Sequence, residues 1–206
     1  MKLYDSPGAC SLAPHIALHE LGLPATTVKV DLRTHQLADG SDYYGINPKG
    51  YVPLLELDDG TRLTEVAVIL QYLADRKPGT LAPAFGSLDR YQQMVWLNFI
   101  ATELHKGFSP LWYPDTPEAT RTATVQKLGK RFDFVADALS KREYIASGAF
   151  TISDAYLFTI LSWSGFLKVD IAPWPVLQQY LERVGARASV QSAKRVEAGG
   201  KAALAA

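Results

Sequence analysis

Short apolar runs punctuated by turn residues dominate the first third of the chain, and longer helical periodicities dominate the rest. Lys2-Leu3-Tyr4 reads as a strand that Pro7 and Gly8 break. Leu12, Ile16, Leu18 and Leu21 then recur at roughly helical spacing until Gly22 and Pro24. Thr26-Thr27-Val28-Lys29-Val30 is β-branched and alternating, a second strand. The stretch from Asp31 to Asn47 is polar, a long loop with one helical turn near Asp42 to Tyr44. It runs into Asn47-Pro48-Lys49-Gly50-Tyr51-Val52-Pro53, where two prolines bracket a glycine. Leu54-Leu55-Glu56-Leu57 predicts a third strand, Asp58-Asp59-Gly60 a hairpin turn and Arg62-Leu63 a short return. Thr64 or Glu65 opens a helix with Val68, Ile69, Tyr72 and Leu73 at helical spacing.

Strand, helix, strand at the start demands parallel pairing with a right-handed crossover. The whole order, βαβ, loop, ββα, is the thioredoxin-like arrangement with a mixed sheet, and Pro53 stands directly before its third strand. From Ser87 onward no strand pattern occurs. Helices are predicted from about Leu88 to His105, with Tyr91, Val95, Asn98, Phe99 and Thr102 on one face, and from about Glu118 to Leu139, with a Phe132/Phe134/Val135 stripe. Pro110, Pro114 and Pro117 enforce the break between them. Thr151-Ile152-Ser153-Asp154 has the form of a capping box, with Phe150 and Ala155 at the staple positions. The helix behind it is apolar nearly all round and so belongs at the centre of an all-helical domain. Further helices are predicted near Val176 to Val184 and Ser189 to Val196, with a frayed tail over Ala198 to Ala206. The expected division is therefore 1–78, a linker over 79–86, and an all-α domain over 87–206.

Composition narrows the function. The chain has 206 residues, 48% hydrophobic, with 21 basic and 21 acidic side chains. That balance gives no basic excess for a nucleic acid. The longest apolar stretch, Ala155 to Leu167, is too short for a bilayer. No signal peptide is visible, and one cysteine fits a reducing compartment, so a cytoplasmic protein is expected. No metal site is read from the sequence.

That cysteine, Cys10, falls where the first helix begins, and Pro14 lies in its first turn without breaking a hydrogen bond. Exposed N–H groups and the positive end of the helix dipole favour a thiolate there. Ala13 occupies the position three residues on, so a C-x-x-C dithiol is excluded. The thiol needs a partner from outside the chain.

Four stretches in order then carry a specific resemblance. Ser6-Pro7-Gly8-Ala9-Cys10-Ser11, Asn47-Pro48-Lys49-Gly50 leading to Val52-Pro53, Leu63-Thr64-Glu65, and Trp96 to Lys106 together resemble a bacterial beta-class glutathione transferase over essentially the whole chain. The resemblance implies a homodimeric detoxification enzyme that conjugates glutathione to small hydrophobic electrophiles or exchanges thiols and disulfides. Cys10 would form a mixed disulfide with glutathione, flanked by Ala9 and Ser11. His105 would orient or protonate the sulfur pair from the helical domain. Val52, ahead of a cis Pro53, would offer its backbone to the cysteinyl unit like an added strand. Glu65 and the N–H groups behind it would hold the γ-glutamyl end. Asn98 and Lys106 are further candidates, and Phe108, Trp112, Tyr113 and Trp163 would wall the electrophile site. Three positions depart from the family pattern. Val66 stands where the family usually has a small residue, often a serine, Tyr51 where a glutamine is common, and His35 where a lysine would meet the glycyl carboxylate. Each lost hydrogen bond costs ~0.5–3 kcal/mol depending on charge. A second reading follows from them: the same fold kept as a binding or structural protein with weakened glutathione binding.

Overall fold

The computed structural model describes residues 1–199 and separates into two compact units. The first comprises Met1–Ala82 together with the chain from Arg187 onward, and the second Pro83–Ala186.

In the first unit, β1 (Lys2–Asp5), β2 (Thr26–Asp31), β3 (Gln36–Leu37), β4 (Leu54–Glu56) and β5 (Arg62–Thr64) form one sheet in the order β3-β2-β1-β4-β5. β1 and β2 are parallel, with Leu3 opposite Thr27; β4 runs antiparallel to β1, with Leu55 opposite Leu3. The strand β3 was not legible as one. It is a two-residue antiparallel edge on β2 inside the long polar loop, pairing Val30 with Leu37 and Asp31 with Gln36. The helical turn expected near Asp42 is a 3₁₀ turn over Tyr43–Gly45, capped by the Asp42 carboxylate on Tyr44 N–H at 2.9 Å.

Helix α1 (Leu12–Leu21) is buried on nearly every side because α2 (Val66–Asp75) packs on it from one direction and α8 (Ala188–Glu197) from another. Gly22 closes it in the left-handed conformation, where a side chain would be strained. In α2 the buried stripe is Val66, Ile69, Leu70 and Leu73, while Val68, expected inside, is exposed. The largest departure is α8. The helical pattern places 187–199 with the helical domain, whereas Arg187 Nε and Ser189 Oγ both hold Glu20 Oε1, at 2.6 and 2.7 Å, and so dock α8 on α1. The tail expected to fray lies, from Gly200 onward, outside the described residues.

In the second unit, Ser87 caps α3 (Leu88–Phe99) by accepting Arg90 N–H. The chain continues as a π-helical turn over Ile100–His105, α4 (Lys106–Phe108) and a 3₁₀ turn over Ser109–Trp112. The buried side of α3 and the π turn carries Arg90, Gln93, Leu97, Ile100 and Leu104. Tyr91 and Val95, expected on the packed face, point to solvent. In α5 (Glu118–Ser140) the packed stripe is Leu128, Phe132, Val135 and Leu139, and Phe134 is exposed. In both helices aromatic size suggested burial, but the 3.6-residue period of the smaller apolar residues decided the face. α6 (Ile152–Phe166) is buried at twelve of its fifteen positions, as its unbroken apolar character requires, and α7 (Pro175–Gly185) opens on a proline.

Candidate functional site

The first unit gathers most of the expected residues at one edge of its sheet. Ser6 to Ser11 turns from β1 into α1 on short-range bonds: Ala9 N–H to Ser6 O at 3.0 Å, Leu12 N–H to Ala9 O at 3.1 Å and Ala13 N–H to Cys10 O at 3.2 Å. Ser11 Oγ locks the turn by accepting Ser6 N–H at 3.1 Å, and it is itself buried. Cys10 therefore sits one residue outside the N-cap of α1. Two of the N–H groups expected to face it, those of Leu12 and Ala13, are already spent on this turn. The thiol is reduced, 9% exposed, and its Sγ lies 3.3 Å from Val52 O, to which it donates.

Val52 is held in place by its own loop. The Val52–Pro53 bond is cis. The preceding carbonyl, Tyr51 O, accepts Tyr43 Oη at 2.9 Å and Asn47 Nδ2 at 2.6 Å. Gly50 is required there: φ is +68°, and a Cβ would stand 2.6 Å from the Tyr44 ring. Tyr44 in turn meets His35 in a tilted ring contact at 4.6 Å, and His35 Nδ1 lies 3.2 Å from Gly50 O. His35 thus has a structural partner within its own loop. The Tyr51 ring is 66% exposed and does not plug a closed pocket, while the Val66 side chain is buried, leaving only its backbone to a ligand.

Glu65 bridges β5 and α2 at φ +71°, a conformation that costs a non-glycine residue ~1–3 kcal/mol. It turns the chain so that the first N–H groups of α2, those of Val66 and Ala67, open at the helix start. Its carboxylate pairs with Lys49 Nζ at 2.6 Å, and Lys49 also reaches Thr64 Oγ1 at 3.0 Å. Both partners are substantially exposed, so the pair is worth ~0–1 kcal/mol.

In the second unit the π-helical turn ends on His105. Its Nδ1 lies 2.7 Å from Tyr156 Oη, and its ring meets the Trp163 ring edge-on at 5.0 Å. Tyr156 is not marked by any motif in the sequence. Its signal was a phenol on an otherwise apolar helix, since a buried hydroxyl demands a partner. Trp163 and the partly exposed Trp112 are in edge contact, and Tyr113 is exposed. Phe108 is completely buried between Phe132 and Trp163, so it is core and offers no surface to a ligand. Asn98 turns its amide back onto Met94 O at 3.0 Å, within its own helix. Lys106 is exposed.

A thiol at the head of α1, a cis-proline edge and a helix start below a left-handed glutamate define a thioredoxin-like thiol site, the kind that holds a thiol-bearing peptide. Comparison with known proteins assigns the family. Residues 8–76 match the glutathione S-transferase N-terminal domain and residues 99–188 the C-terminal domain. Glutathione S-transferase GstA of Escherichia coli O157:H7 is 48% identical over 199 residues, 96% of this chain and 98% of the relative. The bacterial transferase BphK, solved as a ternary complex, is 51% identical with a TM-score of 0.94 over 96% of this chain and all of that one. The beta-class glutathione S-transferase of Sphingomonas chungbukensis is 41% identical with a TM-score of 0.92, covering 96% and 98%. The chain belongs to the glutathione S-transferase family, and its bacterial beta-class resemblance holds in structure as well as in sequence. It is a transferase of that family, and the reading as a fold without the activity is not favoured.

Proposed function

We propose that this transferase binds glutathione along Val52 and Glu65 and uses Cys10 for thiol–disulfide exchange beside conjugation to apolar electrophiles. The observation that carries the reading is the Cys10 thiol at 3.3 Å from the Val52 carbonyl. The Val52 carbonyl is the natural acceptor for the cysteinyl N–H of an extended peptide. Such a ligand would displace the Cys10 S–H from it and leave the two sulfurs side by side. In exchange, the Cys10 thiolate attacks the glutathionyl sulfur of a mixed disulfide between glutathione and another thiol. The Cys10–glutathione disulfide forms and the other thiol leaves as thiolate; a glutathione thiolate then attacks the bound glutathionyl sulfur, releasing glutathione disulfide and the Cys10 thiolate. In conjugation, the glutathione thiolate itself attacks the electrophile.

His105 serves as the acid–base or orienting group. The contact of its Nδ1 with Tyr156 Oη at 2.7 Å orients the ring. Trp112 and Tyr113 supply exposed apolar surface suited to hydrophobic electrophiles. Leu88, Tyr91, Val95 and Phe134 form an exposed apolar set suited to a second copy, in a cytoplasmic homodimer.

Calorimetric titration of the reduced protein with glutathione should show saturable binding, and incubation with glutathione disulfide should give one glutathione adduct per chain by mass. Cys10→Ala should keep the binding and lose the adduct. Absence of heat at millimolar glutathione, or a wild-type chain that takes no adduct, overturns the reading. His105→Gln should lower kcat by ~10²-fold or more.

A further inference from the structure

Three buried ligating side chains converge behind the Cys10 turn, each from a different element. Asp5 ends β1, His15 lies in α1 and Glu197 ends α8. One ligand atom from each lies within 4.8 Å of the other two. We propose that Asp5, His15 and Glu197 form a site for one divalent transition-metal cation of the zinc type, which ties α8 to the base of the Cys10 turn.

Three observations support it. First, the donors lack protein partners. Both Asp5 oxygens, both His15 ring nitrogens and Glu197 Oε1 are buried without a hydrogen bond, although the three residues are only 1%, 0% and 7% exposed. Such groups are ordinarily satisfied in a folded protein. Second, the donor set is right. One imidazole and two carboxylates suit zinc, manganese or iron(II), and the two carboxylates balance a dication. Metal–ligand bonds of ~2.0–2.2 Å place neighbouring donors ~3.3–3.6 Å apart, so an inward rotation of side chains completes the set. Third, neither carboxylate is bonded to a cationic side chain. The neighbouring cation, Lys29, spends its hydrogen bond on the Glu197 main-chain carbonyl at 3.0 Å and not on either carboxylate. His19 stacks on His15 at 5.1 Å.

The site touches the chemistry through the backbone. Asp5 directly precedes Ser6, and Glu197 Oε2 accepts Gly8 N–H at 3.0 Å. A bound ion would therefore fix both ends of the Ser6–Gly8 stretch that leads into Cys10. Nothing in residue spacing announces it, because the ligands stand at positions 5, 15 and 197.

The test uses the full chain, reduced and stripped of metal by chelation, titrated with Zn²⁺ and separately with Co²⁺. The expected result is one ion per chain by calorimetry, a visible Co²⁺ absorption band and a raised Tm. Asp5→Asn and Glu197→Gln should each weaken binding by ~100-fold or more, since outer partners of metal ligands alone are worth ~10–100-fold. Cys10→Ala should bind as the wild type does. If Asp5→Asn folds poorly, Glu197→Gln, at the end of a helix, carries the test alone. The proposal is overturned by absence of saturable binding at large molar excess, by undiminished affinity in the carboxylate variants, or by loss of binding in Cys10→Ala.

Discussion

Each unit of this transferase buries one aspartate completely, and the two are treated in opposite ways. Asp154, at the start of α6, accepts Ile145 N–H at 2.7 Å, Thr151 N–H at 2.9 Å, Thr151 Oγ1 at 2.9 Å and Tyr180 Oη at 3.1 Å. Asp5, at the end of β1, accepts nothing. The first carboxylate is part of how the helical unit is built: it anchors the loop before α6, the helix cap and α7 at once. The second contributes no hydrogen bond to its unit, which is why a ligand is the natural account of it. A buried polar group with all its partners is architecture; one without them points outside the chain.

That contrast can be broken by substitution. The largest effect should come from Asp154→Ala, which leaves four donors without an acceptor and should destabilise the protein by ~3–5 kcal/mol in denaturant unfolding. Next comes pH. Burial pushes Asp154 up to about 6 despite its hydrogen bonds, so the folded state holds a proton that the unfolded state releases. The sign follows: this contribution is complete below about pH 4, the unfolded value, and is lost as pH rises through 6. It amounts to about 3 kcal/mol over that window. Unfolding of wild type and Asp154→Asn compared at pH 4.5 and 7 should show the wild type losing more on going to pH 7. Equal slopes would refute the assignment.

Asp5→Leu is the counterpart in the first unit. Without metal it should be neutral or stabilising by ~1–4 kcal/mol, because a partnerless buried carboxylate is exchanged for a packed side chain. A loss as large as that of Asp154→Ala would erase the distinction between the two sites. The smallest effect is Thr151→Ala, which removes one hydroxyl from Asp154 and an N-cap side chain, ~1 kcal/mol in the same assay.

The same contrast explains what could be read in advance. Thr151 and Asp154 are three residues apart, so the capping box was visible as a pattern and is present. The Cys10 turn, the Val52–Pro53 edge and the Glu65 helix start were visible for the same reason: each is a local stretch whose conformation is set by prolines, glycines and caps. Phe108, Tyr91, Val95 and Phe134 lie on other sides of their helices than expected, because the size and apolarity of one side chain do not say which side of a helix meets a neighbour. The partner of His105, Tyr156, stands 51 residues away and was missed outright.

By itself the sequence determined the strand and helix order, the thiol at a helix head without a second cysteine, and the glutathione transferase kinship. These rest on short-range sterics and on motifs a few residues long. Only the tertiary structure decided that α8 joins the first unit, that Lys49 pairs with Glu65, and that Asp5, His15 and Glu197 meet. Those contacts close loops of very different length, and no local preference encodes which distant side chains share a buried volume.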